Sequence, residues 1–186
     1  MDMHKKPNIQ SIEKAMPLLS AESFYKHHLP KLVIGWQEWC ALPKFHIPAI
    51  KCKIDTGAKT SALHADLIEP FTRHGERYVH FYVHPLQQHK RVEVKCTAKI
   101  IDERVIMNSG GKKEHRYIVN TPIVLGHLTW HIDISLTNRD PMAFRMLLGR
   151  DALRSLFVVD PHKILCQGKR NPHELKKLYK KNHPNF

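Results

Sequence analysis

The chain has 186 residues, enough for one domain with extensions and a substantial buried core. Its 30 lysines and arginines against 17 aspartates and glutamates give a formal net charge of +13, which favours anionic partners such as acidic peptide, nucleic acid or anionic lipid. The N-terminal stretch lacks the apolar core of a signal peptide, and no apolar run reaches the length of a membrane span. These features predict a cytoplasmic protein without a membrane-spanning segment.

Short β-type runs fill the chain from Leu32 onwards and are separated by turn chemistry. Strict alternation in "IPAIKCKI" puts Ile50, Cys52 and Ile54 on one face of a strand. The other predicted strands are "LVIGW", "RYVHFYVH", "RVEVKCTAKI", "RVIMN", "HRYIVNTPIVLG" and "TWHIDISLTN". Many short strands with little helix between them predict an all-β fold, either a small barrel or a sandwich.

The ends of the chain differ from this central region. Residues 1–30 show no sustained period and are predicted to form an N-terminal extension, followed by one domain over 31–165. Residues 166–186 form a basic tail in which "PHELKKLYKKN" fits either a last helix or a solvated basic end. Two further short helices are predicted at "SALHADLI" and "RDALRSL".

The four cysteines are scattered along the chain and include no C-x-x-C pair. Cys52 and Cys96 fall on core-facing positions of predicted strands. Buried free thiols are therefore predicted rather than disulfides or a metal site, and this agrees with a reducing compartment.

An aspartate in a tight turn is the most specific chemical feature of the sequence. The apolar strand before it ends in Asp55-Thr56-Gly57, so the strand would deliver the carboxylate to a fixed point. Glycine allows the backbone N–H groups to approach the carboxylate, and threonine supplies a hydroxyl that can lock the turn. Two interpretations remain open. The aspartate either caps its own backbone, or acts in acid–base chemistry with a second carboxylate about 3 Å away.

Three segments in this order resemble a retropepsin-type aspartic peptidase: "IDTGAKTSALHA", the Gly-tipped hairpin "RVIMNSGGKKEHRYIV" and "FRMLLGRDAL". In that fold the hairpin is the flap, and the apolar-apolar-Gly run threads behind the aspartate turn. Residues 33–160 are most similar to a bacterial family that carries the label "ATP-dependent zinc protease" and is regarded as retropepsin-like. The resemblance implies a small closed acid-protease β-barrel with one or two short helices.

The resemblance also implies how the site works. Retropepsins build the carboxylate pair from two identical subunits, and this sequence has one Asp-Thr-Gly turn. A homodimer is therefore implied, with Asp55 and its symmetry mate activating water without a cofactor or metal. Thr56 would brace the turn, and Gly57 and Ala58 would shape it. The second motif would support it through Leu148, Gly149, Arg150 and Asp151.

Substrate binding is assigned by the same resemblance to the flap residues Ser109, Gly110 and Gly111. Lys59 is a further candidate because of its charge, and here the sequence departs from the family pattern. Lys59 stands where the viral enzymes usually have an acidic residue after Asp-Thr-Gly-Ala. Together with the net charge of +13, this lysine predicts a preference for acidic peptides. Relatives of the family are associated with ligases that add glutamate tails to proteins, which points to the same class of substrate.

The words zinc and ATP in the family label have no counterpart among the residues. The sequence contains neither H-E-x-x-H nor G-x-x-x-x-G-K-[ST]. His127 and His131 lie at the start of a predicted strand. Side chains four residues apart on a strand do not converge on one metal ion.

Other interpretations stay open. The barrel could bind an acidic tail or a ribonucleoprotein without cutting it. Nucleic-acid binding through the basic tail is compatible with the charge, but aromatic residues make up 8% of the chain and form no stripe with basic residues. Asp133 and Asp151 are alternative aspartates; Asp151 is predicted instead to cap the short helix or pair with Arg150.

Overall fold

Strands dominate the part of the chain that the structure describes. The computed structural model describes residues 31–86, 92–107, 111, 113–138, 143–153 and 156–182, so the predicted extension over 1–30 lies outside the described residues. The strands are β1 (Leu32–Gly35), β2 (Gln37–Leu42), β3 (Ile47–Asp55), β4 (Ser61–His64), β5 (Asp66–Arg73), β6 (Glu76–Val83), β7 (Val94–Met107), β8 (Lys113–Leu125), β9 (Leu128–Thr137), β10 (Met146–Gly149) and β11 (Phe157–Asp160). The helices are α1 (Arg150–Leu153) and α2 (Pro172–Asn182), with a 3-10 turn at Pro43–Phe45.

Six of these strands close into a barrel. The hydrogen-bonded order runs β2-β3-β10-β4-β9-β8, and β8 pairs back onto β2 through Cys40↔Leu125 and Ala41↔Val124. Strands β7, β6 and β5 extend the sheet beyond β8, while β1 and β11 form a separate two-stranded parallel ribbon. The prediction of a small closed all-β barrel with short helices is confirmed, and none of the described helices is both long and apolar enough to cross a bilayer.

The core follows the alternation seen in the sequence. Ile50, Cys52 and Ile54 of β3 are buried inside the barrel, and β7 buries every second residue from Val94 to Ile100. Cys40 and Cys96 are buried free thiols as well, and burial raises the pKa of Cys96 to about 12. These thiols stay protonated at neutral pH and act as small apolar core residues.

The prediction of a helix at "SALHADLI" is wrong, because this segment forms β4 and then enters β5. All four residues of β4, which lies between β9 and β10, are buried. Both faces of this strand are therefore covered. Burial on both faces removes the alternation that marks a strand in sequence. The two predicted strands "RVEVKCTAKI" and "RVIMN" are one long strand, β7, whose pairing shifts between Ile100 and Asp102.

The C-terminal segment forms a helix that packs on the barrel. At its start the Asn171 side chain accepts from the backbone N–H of Glu174 at 2.8 Å, and the Glu174 side chain accepts from that of Asn171 at 3.1 Å. This reciprocal pair is a capping box, which fixes where α2 begins. Tyr179 is fully buried and its hydroxyl donates to the carbonyl of Ala49 in β3, and burial raises its pKa. The helix is therefore anchored, while Lys180 beside Tyr179 remains in solvent.

Candidate active site

Asp55 is the last residue of β3, and its own turn holds its carboxylate. Oδ1 accepts hydrogen bonds from the backbone N–H groups of Gly57 at 3.0 Å and Ala58 at 3.1 Å. The side chain is about three-quarters buried, and Oδ2 faces away from these donors towards Lys53 Nζ at 3.7 Å. One carboxylate oxygen is thus fixed by the turn, which leaves the other for an external partner.

The predicted second motif lies directly behind this turn. Strand β10 runs parallel to β3 with Gly149 opposite Asp55 and Leu148 opposite Ile54. A Cβ on Gly149 would lie only 2.8 Å from the carbonyl oxygen of Lys59 and from the carbonyl carbon of Thr60. Only glycine lets the two backbones approach this closely.

Arg150 ties the second motif to the aspartate turn. Its guanidinium Nη1 donates to the carbonyls of Thr56 and Gly57, both at 3.2 Å, and its backbone N–H donates to the carbonyl of Ala58 at 2.8 Å. The backbone N–H of Asp151 donates to the carbonyl of Lys59 at 3.1 Å. Donors at the start of α1 therefore bind successive carbonyl groups of the turn, so the contacts that hold the turn are made to its main chain.

Replacing Gly149 by alanine should destabilise the site from within. Because the new methyl group would meet backbone atoms that cannot rotate away, we expect the free energy of unfolding to fall by about 1–3 kcal/mol. Gly57→Ala is the matched control, since its Cβ would meet only the Asp55 side chain at 3.2 Å. Thermal unfolding of both variants measures this difference; equal melting temperatures would contradict the close-packing role of Gly149.

The lysine nearest to the carboxylate differs from the one that the sequence singled out. Lys53, two residues before Asp55 on the same face of β3, forms the ion pair, whereas Lys59 is exposed and contacts α1 through its carbonyl. A half-exposed pair of this kind contributes about 0–1 kcal/mol to stability. Its positive charge still lies beside the oxygen that faces outward. Only the alternation of β3 in the sequence indicated that Lys53 shares a face with Asp55.

The predicted flap hairpin is formed by β7 and β8, which pair from Ile100↔Val119 to Met107↔Lys113. Gly111 at its tip has a φ of +80°, a left-handed conformation that favours glycine. Ser109 and Gly110, the other predicted flap residues, lie outside the described residues. Beyond Ile118↔Ser135, β8 leaves β9 and continues paired to β7 alone.

A row of buried side chains begins beside Asp55 on the face of the sheet that points away from the barrel core. Leu147 pairs with Ala62, Ala62 with Ser135, and Ser135 with Ile118, across four neighbouring strands. Leu147, Ala62 and Ile118 are buried but do not join the contiguous core cluster. They form a small apolar wall next to the aspartate turn, which sequence analysis missed because β4 and β10 are buried on both faces.

Two histidines on the strands contact neighbouring polar side chains. His131 Nδ1 lies 2.8 Å from Asn120 Oδ1, and His80 Nδ1 lies 2.8 Å from Thr97 Oγ1. Among the described residues, no three His, Cys, Asp or Glu side chains are arranged to hold a metal ion.

Comparison with known families identifies the barrel. Residues 33–170 match the family model "RimB-like: Retropepsin-like aspartic endopeptidase RimB", which covers most of the chain and both motifs around Asp55. The chain belongs to the RimB-like family. This supports the retropepsin-like part of the resemblance, whereas the family description contains nothing that corresponds to the label "ATP-dependent zinc protease".

The curated relatives of this RimB-like chain carry a different name. It is 45% identical over 149 residues to a "Probable alpha-L-glutamate ligase" of Shewanella halifaxensis, covering 80% of this chain and 32% of the relative. A protein of the same name from Desulfotalea psychrophila is 44% identical over 153 residues, covering 82% of this chain and 33% of the relative. The RimB-like chain thus spans about a third of the length of the curated relatives that it matches.

A solved structure has the same fold. The crystal structure of Lpg0085, a Legionella pneumophila protein of unknown function, superposes on the RimB-like chain with a TM-score of 0.63 and 27% sequence identity. The match covers 74% of this chain and 99% of Lpg0085. The match thus spans nearly all of the solved Lpg0085 chain but only about a third of the ligase relatives.

Proposed function

We propose that the chain is an aspartic endopeptidase that works as a homodimer and cuts acidic peptides. The observation that carries the proposal is the Asp55 carboxylate, fixed through Oδ1 by its own turn and braced from behind by Gly149 and Arg150, in a chain of a retropepsin-like family. Such a carboxylate has the rigidity that a catalytic group needs.

A partner chain would complete the chemistry. Two carboxylates about 3 Å apart cannot both ionise, so they share one proton. In the reaction, the ionised member takes a proton from water as the water oxygen attacks the peptide carbonyl. The protonated member donates its proton to the carbonyl oxygen, and the leaving nitrogen is protonated when the bond breaks. The sequence supplies a single Asp-Thr-Gly turn, so the second carboxylate is assigned to the symmetry mate.

The ribbon of β1 and β11 offers a surface for this pairing. Val33 and Val158 lie side by side in the ribbon and are 42% and 49% exposed. Trp36, at the end of the ribbon, accepts from the backbone N–H of Ile54 at 2.8 Å, one residue before Asp55. An apolar contact between two chains at this ribbon would therefore lie one hydrogen bond away from β3, the strand that ends in Asp55.

Acidic substrates suit the charge of the molecule. The net charge of +13 attracts anionic peptides over a distance of about 10 Å at moderate salt, and Lys53 adds a local positive charge next to Asp55. A curated relative named as a probable glutamate ligase contains a segment 45% identical to this chain, which supports a substrate that contains glutamate.

The peptide preference tests the proposal. We expect the wild-type chain to hydrolyse a glutamate-rich peptide at least about tenfold faster than its glutamine counterpart at low salt, because the charged side chains are attracted to a basic surface. The preference should shrink as salt is added, since exposed charges are screened. Rates are compared by mass spectrometry of the products. Faster cleavage of the glutamine peptide would contradict the acidic preference.

A further inference from the structure

A second row of side chains lies parallel to the apolar wall, two residues further from Asp55. Thr137 pairs with His64, and the backbone N–H of His64 donates to the carbonyl of Arg145 at 2.7 Å. The pairing of β8 with β9 ends at Ile118↔Ser135, but the Thr137 hydroxyl still donates to the Glu114 carboxylate of β8, which also accepts from Arg116. The row therefore reads Arg145, His64, Thr137, Arg116 across the strands that carry the apolar wall.

This row is polar, basic and almost fully buried. Arg116 is 8% exposed and Arg145 is 7% exposed, and His64 and Thr137 are each 1% exposed. A buried charge is costly unless it is paired. Two arginines within one buried row make this face of the sheet positive, which needs carboxylates nearby.

Carboxylates from the chain itself contact this row at Arg116 and at His64. Glu114 Oε2 accepts from Arg116 Nε and Nη2, both at 2.9 Å, and the hydroxyl of Thr137 donates to the same oxygen at 2.9 Å. Asp66 Oδ2 lies 3.2 Å from His64 Nε2 and 3.7 Å from His84 Nε2. The side chains of Glu114 and Asp66 are 38% and 35% exposed, so the row meets solvent at its two carboxylates.

The distance from Asp55 suits a peptide. Residues on one face of a strand repeat every two positions, roughly 6.6 Å, so the basic row lies roughly 13 Å along the strands from the level of Gly149 and Asp55. An extended peptide rises at the same rate per residue. A side chain three to four residues from the bond to be cut would therefore lie at the level of Arg145 and Arg116.

We propose that this row is a carboxylate-binding subsite, in which Arg116 receives an acidic side chain of the substrate. Glu114 is the internal carboxylate that the substrate displaces from Arg116. The planar guanidinium binds carboxylates in pairs of hydrogen bonds, so one carboxylate can replace another there with similar geometry. The proposal rests on the proposed function and adds the residues that set its acidic preference.

The test measures binding rather than turnover, using the full chain with Asp55→Asn. Dissociation constants are determined by calorimetry for a glutamate peptide and its glutamine counterpart. Arg116→Gln should reduce the preference for glutamate about tenfold, the usual effect of losing a charged hydrogen bond. Glu114→Gln should increase the preference several-fold, because Arg116 loses its internal carboxylate.

Arg77→Gln is the matched control. It removes the same charge from an exposed position on β6, where Arg77 pairs with Glu103 at 3.3 Å, and should leave the preference unchanged. An equal loss in Arg77→Gln, or an unchanged or smaller preference in Glu114→Gln, would overturn the subsite. If Arg116→Gln fails to fold, the binding preference of Glu114→Gln is decisive, because this substitution keeps the size of the side chain.

The binding test separates the subsite from catalysis. A wild-type chain that cuts no peptide while Asp55→Asn retains the arginine-dependent preference would refute the proposed function and leave the subsite standing. A chain that cuts glutamate and glutamine peptides equally, and binds them equally, would refute the subsite and leave the peptidase standing.

Discussion

Asp55→Asn should lower the rate of peptide hydrolysis by about 10²- to 10⁴-fold, the contribution typical of a positioned acid–base group. The fold should persist, because the asparagine Oδ1 can still accept from the N–H groups of Gly57 and Ala58. The lost ion pair with Lys53 contributes about 0–1 kcal/mol at this exposure. Rates are measured with a glutamate-rich peptide, and folding by thermal unfolding.

Asp133→Asn is the matched control for this substitution. Asp133 is exposed on β9, where Oδ1 accepts from Asn120 Nδ2 at 2.8 Å, and it was weighed in the sequence as an alternative aspartate. It should retain wild-type hydrolysis. Equal hydrolysis by Asp55→Asn and wild type would refute the aspartic mechanism and favour a barrel that only binds acidic peptide.

Val158→Asp should convert the dimer into monomers and abolish hydrolysis, because a charge would be buried at the ribbon contact without a partner. Val158 is already exposed in the single chain, so the melting temperature of the monomer should change little. Light scattering over a hundredfold range of protein concentration gives the mass, and the peptide assay gives the rate.

Leu67→Asp provides the control for Val158→Asp. Leu67 is also exposed and apolar, but it lies on β5, the strand at the far end of the extended sheet. It should keep the wild-type mass and rate. A Val158→Asp protein that remains a dimer would show that the ribbon is not the contact, and an active monomer would contradict the shared site.

Local chemistry in the sequence predicted the aspartate turn, whereas the resemblance to retropepsins supplied the second motif behind it and the hairpin. The strand ending in Asp-Thr-Gly, the glycine of the second motif and the Gly-tipped hairpin each require a particular backbone geometry, and the structure forms that geometry at Asp55, Gly149 and the β7–β8 hairpin. Alternation likewise predicted β3, because only one of its faces is in the core.

The sequence predicted the structure less well where a strand is buried on both faces, or where residues far apart along the chain come together. Strand β4 was predicted to be helical, because a run buried on both faces carries no period of two. The basic row joins residues more than 50 positions apart along the chain, and only the register of β4, β8 and β9 brings them together. Lys59 was singled out by its place in the motif, although the alternation of β3 already puts Lys53, the partner in the ion pair, on the same face as Asp55.

A mixing experiment tests most directly whether two chains share one site. Wild-type protein is incubated with a ninefold excess of Asp55→Asn until the rate is constant, with peptide in large excess over total protein. If each active site needs an aspartate from both subunits, about one wild-type chain in ten keeps a wild-type partner, and the rate falls to about a tenth. Asp55→Asn that also carries Val158→Asp should not lower the rate. A rate unaffected by Asp55→Asn would contradict the shared site and show that a single chain suffices.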